Sequence, residues 1–449
     1  MRDRRGLVAA GVLAATFFTV SWLRHVHFWS GGFDLGVFDQ GAWLLSRGRA
    51  PDISLIQRNL FSDHLSPVLI LFAAPYRLIA SPAWLLGAQA ICLGVTVLPL
   101  RALARDEGVP RGLATLAVAL SAPLAAAAVF DFHPSTLATP FVAWCLLGAR
   151  RGDRRLMTWA ALAVVACRAD LGCVLIGIAI VAAPDVRRRL LVLGALAVAA
   201  GAVVPDLLGN PGTWKPYYGH LGASPVDAAL HPWRAVRALL SQDPLDSLVY
   251  WLLPVGFLPV LRARWLAAIV VAGLPVLLSR WAGTHLPWFH YGAPLVPLVV
   301  GGAIAALATS RLPQGSLRGL LGAGAVVAAA ISGPLSPDAP ASVQVWQVVR
   351  ASGRSSAVAA ALKAVPPGGV VSALNQPLAH LMQRHQAYLF PLPFAAPRDT
   401  YPGGLAPAPS RRNAAAVDVV IARVQDRARL EALHFGKVRR IGDFVVASR

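Results

Sequence analysis

The sequence predicts a polytopic α-helical membrane protein of about 11 crossings, N-terminus inside and C-terminus outside, with a small extracytoplasmic α/β domain at its C-terminal end. Three observations predict it. Hydrophobic residues make up 56% of the 449 and charged residues only 14%, far more apolar than a soluble domain needs. Apolar runs of spanning length recur through residues 1–334, and arginine clusters in alternate connections between them. From about residue 335 the pattern changes to short β-type runs. The net charge of +20 suggests nucleic acid only if it forms a basic face on a soluble fold, and the apolar runs exclude that. Cys92, Cys145, Cys167 and Cys173 all lie in apolar segments, so no disulfide framework is implied.

The first helix, residues 6–28, follows MRDRR, which keeps the N-terminus inside. Its apolar run continues for about 20 residues without a small-residue cleavage site, so it reads as a retained helix and not a signal peptide. The polar stretch FDLGVFDQ, residues 33–40, then emerges outside and opens an outer loop over residues 29–82. Within that loop residues 67–79 are apolar. A crossing there would place Arg101, Arg105 and Arg111 outside, so the stretch is expected to lie along the outer surface.

Crossings follow at residues 83–104, 113–130 and 135–149, the last returning to Arg150, Arg151, Arg154 and Arg155. Residues 156–183 are interrupted by CRADLG and have arginines on both flanks, which predicts an excursion out and back with Arg168 and Asp170 at its outer turn. Residues 190–208 lead to a second outer loop, 209–247, where Trp214, Tyr217, Tyr218 and Trp233 suit an interfacial aromatic belt. Residues 248–261 and 265–278 flank an inner turn containing Arg262 and Arg264. SRWAGTHLPWFHYG is then outside, residues 293–307 return to Arg311 and Arg318, and residues 320–331 exit. The Pro-rich link PLSPDAP leads into GVVSAL, AYLF, VDVVIAR and FVVAS, alternating with helical runs at 355–364 and 376–385, which predicts an α/β domain over residues 335–449. No internal repeat is evident, which disfavours repeat-built transporters.

On this topology the polar motifs share the outer face. An ionisable residue at a membrane boundary is costly and marks a functional site by default. Asp34 and Asp39 are five apart and so do not stack on one helix face. Either could serve as a general base, or cap the helix that follows. Asp63 and His64 in FSDHLSP, and Asp131 and His133 in FDFHPS, offer oxygen and imidazole ligands; Asp34, Asp63 and His64 could hold a divalent cation. Spacing alone is weak evidence for a metal, and hydrogen bonding of the histidines to substrate or to Asp34 is the stronger reading. Arg168 at an apolar turn calls for an anionic partner such as a phosphate, against an internal pair with Asp170. Lys215 and Arg280 are further anion candidates, against simple snorkelling. His285, His290 and Tyr291 complete the set. There is no Walker loop, dinucleotide fingerprint, zinc-protease or nucleophile-elbow motif.

FDLGVFDQ after the first helix, then FSDHLSP, FDFHP, CRADLG, HYGAPLVP and VVSALNQPLAHL, resembles in order and over nearly the whole chain the bacterial membrane family catalogued as domain of unknown function 2079. In the family pattern the fourth motif usually reads C-R-E-D. Ala169 replaces that acid here, which argues against an essential role for it.

The family is similar in layout to GT-C-type glycosyltransferases, and that similarity implies a lipid-linked sugar donor, commonly a polyprenyl phosphate or pyrophosphate. It implies transfer to an envelope glycan, lipid or protein on the outer face of a bacterial plasma membrane, and an essential acid in the first outer loop. Asp34 matches that position, with Asp39 in reserve. Arg168 or Lys215 would hold the donor phosphate, and Asp63, His64, Asp131, His133, Asp170, His290 and Tyr291 would line the substrate site. No cofactor is implied beyond a divalent metal, and the C-terminal domain would contribute to acceptor choice. The rival classes are a transporter or flippase of a lipid or glycan precursor, which needs ionisable residues at mid-membrane, and a non-catalytic envelope scaffold.

Overall fold

The computed structural model describes residues 3–63, 65–210, 214–396 and 407–449. Among them five helices are long and apolar enough to cross a membrane: Arg4–Val26, Ala83–Asp106, Pro184–Leu207, His290–Thr309 and Gln314–Ile331. A sixth span results if Arg111–Ala119 and Ala122–Val129, bent by 43°, are one crossing. The bend falls where Ser121 is extended and Pro123, which has no N–H to continue the ladder, opens the second helix. The other crossings expected from the sequence fall on shorter helices, among them Thr139–Arg151, Arg154–Cys167, Gly172–Val181 and Ala263–Leu277. The longest of these has 15 residues, about 22 Å at the helical rise against a hydrocarbon core of about 30 Å. Length and apolarity therefore support five or six spans, not about 11.

The described chain separates into two units. The first comprises Met1–Ser21, His64–Val68 and Leu86–Val345. Its centre is His290–Thr309, whose apolar window is 83% buried, whereas those of Pro184–Leu207 and Gln314–Ile331 are 22% and 28% buried. The two outer helices present Leu196, Leu207, Val326 and Ile331 outward, as lipid-facing helices do. Small residues let backbones touch. A Cβ on Gly172 would stand 2.4 Å from the carbonyl oxygen of Gly194, and one on Gly177 2.5 Å from that of Ala268. The arginine-rich turns carry acids of their own: Arg101 donates from Nε and Nη2 to Asp3, both at 2.8 Å, Arg150 pairs with Glu107 at 2.7 Å, and Arg151 with Asp106 at 2.6 Å.

The second unit comprises Trp22–Asp63, Leu69–Leu85 and Trp346–Arg449. It holds a short antiparallel hairpin, β1 (Asp52–Ile53) and β2 (Arg58–Asn59), and a five-stranded sheet. The sheet strands are β3 (Val371–Ala373), β4 (Ala387–Leu389), β5 (Val419–Arg423), β6 (Lys437–Ile441) and β7 (Phe444–Ser448), in the order β4-β3-β5-β7-β6. β3 runs parallel to both β4 and β5, and the β5, β7, β6 end is antiparallel. β3 and β4 are buried throughout, Ser372 of β3 donating to the Leu392 carbonyl, while edge strand β6 exposes Lys437, Arg439 and Arg440.

Candidate functional site

In the second unit the chain leaves helix Arg4–Val26, turns at Phe28 in the left-handed region (φ 65°), and enters a π-helix, Gly32–Gly36, that runs on into the α-helix Val37–Ser46. A non-glycine residue at positive φ and a π turn are both sparsely populated and gather at functional sites. Asp34 sits on that π turn, half-buried, and Asp39 in the first turn of the α-helix, fully buried. Neither helix has a side-chain N-cap, so the capping role open to the two carboxylates is not used.

The stretch is clasped by the segment that follows β3. Asn375 Oδ1 accepts the Phe33 N–H at 2.9 Å, Gln383 Nε2 donates to Asp39 Oδ1 at 3.1 Å, and Gln40 Nε2 donates to the Arg384 carbonyl at 2.9 Å. Glycines permit the approach: a Cβ on Gly32 would lie 2.8 Å from Leu378, and one on Gly36 2.6 Å from Met382. Two motifs more than 300 residues apart, FDLGVFDQ and NQPLAHLMQ, thus form one structure. Beside them the His25 and His380 rings stack at 4.2 Å.

Asp39 receives a second hydrogen bond, from the Tyr76 hydroxyl at 2.7 Å, also onto Oδ1. That leaves Oδ2 to carry a proton. Burial raises the Asp39 carboxyl from 3.8 to about 6, against the lowering effect of its two donors. Because the folded value is the higher one, this contribution to stability is complete below about pH 3.8 and is lost as pH rises through about 6. Asp39→Asn, a neutral mimic of the protonated acid, is expected to remove that decline: thermal unfolding should show the variant more stable than the wild type at pH 8 and no more stable at pH 4. Equal curves at pH 8 would contradict the buried placement. Asp63, in contrast, pairs with Arg58 at 3.3 Å.

In the first unit Asp131 and His133 are buried and His133 stacks on His290 with ring centroids 3.5 Å apart. His133 Nδ1 lies 3.1 Å from the Asp131 carbonyl; donating there assigns the lone pair of a neutral ring to Nε2. Gln89 holds the turn, its Oε1 accepting the His133 N–H and the Thr136 hydroxyl while its Nε2 donates to the Ala127 carbonyl at 3.0 Å. Tyr291 packs on His290 at 4.1 Å and edge-on to Trp281 at 6.0 Å.

Helix Arg154–Cys167 ends just before Arg168, whose extended backbone lets Nε and Nη2 reach Asp170 Oδ2 at 2.9 and 2.7 Å. The internal pair weighed against an anionic ligand is therefore present, made possible by the helix ending there. Asp170 Oδ1 is buried without a hydrogen-bond partner among the described residues. Lys215 and Arg280 are exposed. His285 is bonded on both nitrogens, to Ser247 Oγ at 2.8 Å and to the Ser279 carbonyl at 2.9 Å.

Asp34, Asp39 and Asp63 thus belong to the second unit, and Asp131, His133, Arg168, Asp170, Lys215, His290 and Tyr291 to the first; His64 lies outside the described residues. No group of three or more His, Cys, Asp or Glu side chains suited to a metal ion occurs among the described residues. Sequence reasoning missed Tyr76, Asn375, Gln383 and Gln89. Gln89, a lone amide in an apolar run, and Asn375, inside the motif VVSALNQPLAHL, carried a local signal.

No curated protein and no solved structure matches the chain. A family model described as a predicted membrane protein, DUF2079, matches residues 24–435, from the end of the first helix to beyond β5. That stretch contains FDLGVFDQ and the NQPLAHLMQ segment that clasps it, and the chain belongs to the DUF2079 family of predicted membrane proteins.

Proposed function

We propose that the protein is a GT-C-like membrane glycosyltransferase that transfers a sugar from a polyprenyl-phosphate-type lipid to an envelope acceptor on the outer face of a bacterial plasma membrane. The observation that carries this reading is the Asp34 carboxylate: half-buried, on a π turn directly after the first apolar helix, and braced by a second polar segment. In the proposed reaction the acceptor hydroxyl gives its proton to Asp34 as its oxygen bonds to the anomeric carbon. The bond from that carbon to the lipid phosphate breaks, and the electron pair leaves with the phosphate. The same proposal has the shorter helices completing about 11 crossings and the sheet lying outside the cell.

The test uses the purified full chain in lipid discs with a panel of polyprenyl-phosphate-linked and pyrophosphate-linked sugars, reading release of free lipid phosphate. Release from at least one donor is expected, and it should be lost in Asp34→Asn. If no donor is consumed although the folded chain binds them, the reading fails and the transporter and scaffold classes take its place.

A further inference from the structure

Asn375 is the first residue of the short helix Asn375–Leu378 and stands just past the C-terminal end of β3, the strand flanked on both sides by parallel neighbours. In open sheets of this kind the carboxyl ends of parallel strands are where polar groups meet ligands. Two features hold the residue in place: the Leu374 N–H donates to the Ile421 carbonyl of β5 at 3.1 Å, and Leu378 packs where Gly32 has no side chain. Asn375 Oδ1 accepts the Phe33 N–H at 2.9 Å, which leaves Nδ2 as the donor end of the amide.

Gly31 marks what Nδ2 faces. A Cβ on Gly31 would come within 2.8 Å of Asn375 Nδ2 and 3.0 Å of Asp34 Oδ2. The amide donor and the carboxylate oxygen therefore share the niche that this glycine leaves open. Neutral and unable to accept a proton from Asp34, the amide N–H favours the ionised acid over the protonated one.

We infer that Asn375 is a positioning residue for Asp34, holding the π turn by its carbonyl and the ionised carboxylate by its N–H, so that the C-terminal sheet forms part of the reactive site as well as any acceptor-binding surface. This rests on the reading of Asp34 as the proton acceptor. The other titratable or charged groups on elements around the turn include Asp39 on the following helix, Arg24 and His25 in the last turn of the preceding one, Arg24 being buried and donating to Ser30 Oγ at 3.4 Å, and His380 after helix Asn375–Leu378.

The experiment reads Asp34 itself, apart from turnover. The full chain in lipid discs is titrated by infrared spectroscopy of the carboxyl stretch, the Asp34 band being assigned by its absence in Asp34→Asn. Asn375→Ala should raise the Asp34 midpoint by about one pH unit, and Asn375→Asp, nearly isosteric and less prone to misfold, should raise it further through like-charge repulsion. Asn413→Asp, in a different helix of the same unit, should leave it in place. An Asp34 midpoint that neither Asn375 variant moves would overturn the inference, reducing Asn375 to a brace for the backbone. Failure of the wild type to consume any donor would instead count against the transferase reading, and the midpoints would still decide whether the pair exists.

Discussion

Asp34→Asn is expected to lower donor consumption by about 10²–10⁴-fold while leaving the fold intact. The substitution keeps size and shape, so the packing of Gly31, Gly32 and Asn375 around the π turn persists. What it removes is the ability to take a proton from an acceptor hydroxyl. Asp39 cannot substitute, because it is fully buried and held through one oxygen by Tyr76 and Gln383. The measurement is the rate of lipid-phosphate release from the best donor, with thermal unfolding measured alongside. A variant that folds like the wild type and retains its rate would remove Asp34 from the chemistry. A loss accompanied by a lower unfolding temperature would say only that the turn needs its charge.

Gly256→Ala is expected to destabilise the membrane unit by about 2–5 kcal/mol. Gly256 has φ 61° and ψ 35°, a conformation that costs a side-chain-bearing residue about 1–2 kcal/mol. Its missing side chain also matters to packing: a Cβ would fall 2.2 Å from the Leu320 carbonyl oxygen and 3.0 Å from the Leu321 nitrogen, backbone atoms of helix Gln314–Ile331 that cannot rotate aside. The contact is reciprocal, since a Cβ on Gly324 would meet the Leu253 carbonyl oxygen at 2.3 Å. Overpacking of this kind typically adds about 1–3 kcal/mol. Gly322→Ala on the same helix, where nothing lies within 4 Å, is the matched control and should be neutral or slightly stabilising. Thermal unfolding in lipid discs checks both. Equal stability of the two variants would mean that the turn at Gly256 does not pack on helix Gln314–Ile331 as described.

The membrane class and the long spans were legible because they depend on quantities that add along the chain. Apolar run length sets whether a helix can cross, and Arg4–Val26, Pro184–Leu207 and Gln314–Ile331 declare themselves that way. The full count of crossings was less legible. Thr139–Arg151 and Ala263–Leu277 are apolar but short, and proline, glycine and arginine divide the intervening sequence into pieces whose fate depends on their neighbours. Arg168 shows the same limit at the level of one residue: the choice between an anionic ligand and an internal pair with Asp170 was open in the sequence, and the pair forms because the helix ends at Cys167.

The sequence by itself determined the class of the protein, the position of its long apolar helices, the change of character near residue 335 and the motif that carries Asp34. Only the tertiary structure decided which polar groups meet: that Tyr76 and Gln383 bury Asp39, that Asn375 reaches the turn of Asp34, and that His133 lies on His290. The physical reason is range. Hydropathy and helix-terminating residues act over a few positions and can be summed, whereas a hydrogen bond between residues 33 and 375 requires each segment to be held by its own packing first, and no local pattern at either end records the partner.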